Sequence, residues 1–138
     1  MSTEESIAET VLGAVAGALS GAGVPDVYTR PPSACMCEEP VVLCWKGFER
    51  EARFPSGEER GLAVAELLTV READAAARDT AFFCERAVRG MQRGPWNEQG
   101  EDVRFLAVDA GVPEFRGRDR SGRFVWGFEA RLTVARSI

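Results

Sequence analysis

"FRGRDRSGRFVWGFEARLTVAR", residues 115–136, decides how the fold is read. In its second half Phe124, Trp126, Phe128, Ala130, Leu132 and Val134 alternate with Val125, Gly127, Glu129, Arg131 and Thr133. A period of two sends alternate side chains to opposite faces of an extended chain. Residues 124–135 therefore predict a long strand with one large, apolar, aromatic face. In the first half, Arg116, Arg118 and Arg120 stand at every second position ahead of a Ser121-Gly122 pair. In an extended conformation these three would project to one side as a compact cationic edge.

Upstream, Val103, Phe105 and Ala107 alternate with Arg104, Leu106 and Val108, which predicts an antiparallel partner strand. The stretch 110–123 is read as the connection between the two. Further back, Ala77, Ala81, Cys84, Val88 and Met91 follow a 4-3-4-3 spacing with Phe83 beside them, the seam of an amphipathic helix. Asp74 and Arg78, and Glu85 and Arg89, are favourable i,i+4 pairs expected on its solvent side. The segment 58–70 is open between two readings. A strand to about Val70 followed by a helix from about Glu72 is favoured, and one long helix from Glu58 is the alternative.

The N-terminal third predicts a helix along Ile7, Val11, Val15 and Leu19, with Leu12 beside them. Ser2 fits as its N-cap with Glu5 reaching back, and Gly23 and Pro25 end it. A short strand at 27–29 among three prolines follows, then a strand at 41–48 rich in β-formers. Pro55-Ser56-Gly57 marks a turn. The predicted class is α+β: one domain over residues 1–138, a mostly antiparallel sheet of about five strands with two main helices on it, in the order α-β-β-β-α-β-β.

Composition bounds the function. The chain has 138 residues, 45% hydrophobic and 28% charged, which suits one globular core. No run approaches about 18 consecutive apolar residues, so no membrane partner is expected. The acidic start, unlike a basic signal peptide, predicts a protein cytoplasmic when made. There is no histidine, which removes Ser-His and Cys-His catalysis and imidazole-metal ligation. No phosphate-loop or dinucleotide motif occurs. The side-by-side carboxylates in "CEEP" and "GEER" would point to opposite faces of a strand and make no acid-base dyad. The expectation is a non-enzyme without cofactor.

Four cysteines are enough in number for a zinc site, but Cys35, Cys37, Cys44 and Cys84 lack knuckle spacing. Cys44 and Cys84 are read as small buried hydrophobes. The Cys35-Met36-Cys37 loop, together with Cys44, leaves a metal-binding or redox regulatory protein as an alternative.

Charge is unevenly placed. Residues 115–136 hold six arginines against Asp119 and Glu129, a local +4; with a formal net charge of −5, the remainder carries −9. A nucleic-acid binder is usually basic overall, and no nucleic-acid-binding signature is present. The cationic edge thus has three readings: a phosphate grip, a dock on the acidic side of an identical neighbour, or a solvated loop. The docking reading makes Arg116, Arg118, Asp119, Arg120 and Arg123 the candidate interface. Head-to-tail contact of this kind closes into a ring if the rotation allows.

In the order of its elements the chain resembles the tail terminator proteins of long-tailed bacteriophages, some of them known as minor capsid proteins in prophages of Gram-positive bacteria. The resemblance is carried by the first helix ending in "GAGVPDVYTRPP", the "READAAARDTAFFCERAVRGM" helix, and the closing "PEFRGRDRSGRFVWGFEARLTV". The "SACMCEEP" loop departs from the family. The resemblance implies a small α+β assembly protein forming a homo-hexameric ring on the head-proximal end of the tail tube. It would stop tube growth and offer a surface for head joining. Implied partners are further copies of the chain, the tail tube protein and a head completion or connector protein, with DNA passing through without specific binding. The implied location is the host cytoplasm during assembly, then the virion. A neck or head-tail connector protein of the same size and make-up is the nearest rival. A small enzyme depending on Asp119 or Glu114 is the most distant.

Overall fold

A computed structural model describes residues 3–29, 39–91 and 103–136. Its elements are α1 (Thr3–Gly21), β1 (Val27–Tyr28), β2 (Val41–Arg53), β3 (Glu59–Arg71), α2 (Asp74–Gly90), β4 (Val103–Ala110), β5 (Glu114–Arg118) and β6 (Phe124–Arg136). They form one sheet in the order β1-β2-β3-β6-β4, with β5 also paired to β6. All pairings are antiparallel except β1 with β2. The α+β class is as expected, and the segment open between strand and helix is the strand β3, Glu59–Arg71.

The alternation in 124–135 explains the centre of the sheet. β6 pairs with β3 along its whole length, Phe128 opposite Leu67, Ala130 opposite Ala65 and Leu132 opposite Ala63. These six side chains are at most 1% exposed and face the helices. Small residues at 63, 65 and 130 let the helices lie close to the strands.

Ile7, Val11, Val15 and Leu19 of α1 are fully buried. The helix ends as its sequence predicts. Gly23 has φ 91, a conformation costly for any side chain. There the Val24 N–H donates to Leu19 O and the Gly23 N–H to Ser20 O, each at 3.0 Å. This satisfies carbonyls that a helix end leaves unpaired. The expected cap Ser2 lies outside the described residues. On α2, Ala77, Ala81, Cys84, Val88 and Met91 are all buried, as their spacing requires. The Thr69 hydroxyl ties helix to sheet by donating to Ala77 O at 2.8 Å.

Three local expectations are corrected. The connection 110–123 contains a strand, β5, so the sheet has six strands rather than about five. β4 does not alternate throughout: the register slips between Phe105 and Ala107. That bulge turns Ala107 outward and Val108 inward, because an extra residue inverts the faces that follow it. The i,i+4 pairs of α2 differ too. Glu85 does meet Arg89, but Glu85 is 3% exposed, not solvated. Asp74 accepts a hydrogen bond from Trp126 Nε1 at 2.7 Å, since the helix start sits over β6, and Arg78 lies by Asp79.

Candidate interaction surface

Asp119 organises the turn between β5 and β6. Its Oδ1 accepts from the backbone N–H of Ser121 and of Arg123, both at 2.9 Å, and its Oδ2 from Arg123 Nε at 2.7 Å. The Asp119 N–H donates to Arg123 O, closing the hairpin. A short carboxylate side chain gathering the N–H groups that follow it is what makes Asp a turn residue. Burial works against the charged form. The N–H groups and guanidinium of Arg123 and the N–H of Ser121 outweigh it, so the carboxyl is held below its usual range. Asp119 and Arg123 are thereby occupied within the turn.

The three alternating arginines do not share a side, contrary to the extended-chain expectation. Phe115 stands opposite Trp126 and Gly117 opposite Val125, which leaves Arg116 as an extra residue in a bulge. Arg116 reaches over the open face of the sheet, with Nη2 3.5 Å from Glu66 and Nη1 3.8 Å from Glu114. It crosses Gly127, where a Cβ would lie 2.6 Å from Leu67 O and 3.4 Å from Arg116 Nε. Arg118 goes the other way and lies 4.2 Å from the centre of the Phe124 ring. Arg120 is exposed. Among the described residues Arg118 and Arg120 form no ion pair.

The sequence reading missed the aromatic half of this corner. Phe115 lies 6.0 Å from Trp126 and 6.4 Å from Phe124, ring centre to ring centre, yet is 52% exposed. An exposed phenylalanine braced by two aromatic rings and flanked by a stacked arginine has the make-up of a binding anchor.

It also missed the open face. β3 is apolar on both sides, a pattern expected when both faces are covered. Among the described residues the helices cover one face only. On the other lie Leu62, Val64, Glu66 and Leu68, with Glu66 directly opposite Glu129 of β6. Arg116 and Arg131 relieve that like-charge pair, Arg131 lying 3.1 Å from Glu129. A shallow groove crosses this face where the register of β2 slips between Trp45 and Gly47. Lys46, Gly47, Phe48, Glu49, Leu62, Val64 and Glu129 line it. The apolar "LAVAELLTV" run was the available signal; read as an ambiguity of element type, it hid the second face.

Cys84 is fully buried, and burial pushes its thiol up to about 11 despite the lowering influence of Arg71. Cys44 is half-buried on the open face, its thiol raised by burial and by Glu66. Among the described residues no group of three or more His, Cys, Asp or Glu is placed to hold a metal. Cys35 and Cys37 lie outside them.

No protein-family model matches the chain, and no curated protein matches it in sequence. Among solved structures, it is similar to a chain of the "virion of native gene transfer agent (GTA) particle". The TM-score is 0.63 at 12% identity, over 91% of this chain and 94% of that one. At that identity the likeness is one of fold, carried end to end.

Proposed function

We propose that this chain is a structural component of a phage-like virion. It caps the head-proximal end of the tail tube as a ring, stops tube polymerisation and presents the surface to which a head completion protein joins. The observation that carries this reading is the end-to-end fold likeness to a chain of a gene transfer agent virion. The sequence resemblance to tail terminators points the same way. An acidic chain of net charge −5 also suits a ring through which DNA passes, because phosphate contacts would retard it. On this reading the protein is not an enzyme. It acts by occupying a position, first in the host cytoplasm and then in the particle.

Deletion of its coding sequence from the genome that carries it tests the role. The expected products, seen by electron microscopy, are filled heads beside unjoined tubes of uncontrolled length. Unjoined tubes of normal length would instead favour the neck-connector reading. Particles of normal form would refute both.

A further inference from the structure

We propose that the groove on the open face of β2 and β3 is the acceptor for the Phe115–Arg118–Arg120 corner of a second copy of this chain. The inference rests on the ring reading above and adds which two surfaces meet.

The corner is ready to bind. Phe115 is half exposed, yet Phe124 and Trp126 hold it from behind, so little freedom is lost when it is covered. Arg118 is held on the Phe124 ring. With Arg120 it offers two cations that no carboxylate of the described residues engages.

The groove is complementary. Phe48, Leu62 and Val64 give its lining an apolar part, and Glu49 and Glu129 give it two carboxylates. Glu49 is exposed and forms no ion pair among the described residues. Lys46 is the one opposing charge, and Arg131 shares Glu129. A phenylalanine on the apolar part between two arginine–glutamate contacts satisfies both the shape and the sign of these groups.

The two surfaces cannot meet within one molecule. The groove crosses β2 and β3 on the open face. The corner's rings stand on the helix-bearing face, Phe124 and Trp126 on β6 and Phe115 on β5 at the far side of β6 from β3. Contact between copies is therefore head-to-tail, and an open assembly keeps one free donor at one end and one free acceptor at the other until the chain of contacts closes.

A charge exchange tests this on the full-length protein. One variant carries Arg118→Glu and Arg120→Glu, the other Glu49→Arg and Glu129→Arg. Each alone is expected to sediment as a folded monomer under conditions where the wild type assembles. Mixed in equal amounts they should reassemble, because reversed corners fit reversed grooves and wild-type corners fit wild-type grooves. Phe115→Ser should also abolish assembly, with an unchanged far-ultraviolet spectrum. Wild-type assembly by any of the three alone would overturn this contact while leaving the ring reading in place. Folded monomers that fail to combine would overturn it too. A wild type that stays monomeric at its highest soluble concentration would overturn it and leave the virion role to the deletion experiment.

Discussion

Arg116 and Arg118, two residues apart, lie on opposite faces of the sheet, one beside Glu66 and the other on the ring of Phe124. The bulge at Arg116 separates their work. Arg116 holds together the open face of its own molecule, and Arg118 forms no ion pair among the described residues. Arg116→Ala should therefore lower stability by about 0.5–1 kcal/mol, the worth of a partly exposed ion pair. Arg118→Glu should stay within about 1 kcal/mol of wild type, since a cation-ring contact is all it loses. Paired urea titrations check the first difference, and sedimentation should find that only the second variant loses assembly.

The Asp119 turn gives a pH dependence whose sign is fixed. The folded carboxyl titrates below its unfolded value of about 3.9, so its stabilisation is complete above that pH. It is lost as pH falls through the lower, folded value. Asp119→Ala should cost about 1–2 kcal/mol at neutral pH, for hydrogen bonds to a charged acceptor. The gap between variant and wild type should shrink in acid. Thermal unfolding from pH 7 down to pH 3 reads it.

Gly127→Ala should be more harmful than its size suggests. The new methyl would stand 2.6 Å from the backbone oxygen of Leu67 and 2.7 Å from Leu68 Cδ2, and a strand oxygen in a ladder cannot step aside. A loss of about 1–3 kcal/mol is expected from overpacking. The chemical-denaturation midpoint checks it, and no change would show that β3 and β6 do not pair as described.

The thiol of Cys84 should resist alkylation at pH 8 in the native protein and react fully in denaturant, because the thiolate is the reactive form and burial suppresses it. Cys44 should react slowly for the same reason. Peptide mapping after a timed iodoacetamide pulse distinguishes these two. Rapid native labelling of Cys84 would contradict the helix seam on which it lies.

Much of the fold was legible because the apolar periods were clean. The four-residue stripe of α1, the 4-3-4-3 seam of α2 and the alternation of β6 each had one solution that buried their large side chains. What escaped was whatever depends on a single residue out of register. The bulges at Leu106 and Arg116 preserve composition and reverse faces, so alternation misled there. β5 was hidden between Pro113 and Gly122, in five residues that look like a turn. Of the candidate interface, Asp119 and Arg123 proved to be engaged with each other, and Arg116 with Glu66. The aromatic anchor at Phe115 and the groove opposite it need three dimensions: one is set by rings from two strands, the other by a bulge beside an uncovered face.

A native mass spectrum of the wild-type chain at high concentration tests the central claim most directly. The account predicts a closed homo-oligomer, near six copies, with no bound metal. A monomer carrying zinc would contradict it and turn attention to Cys35 and Cys37.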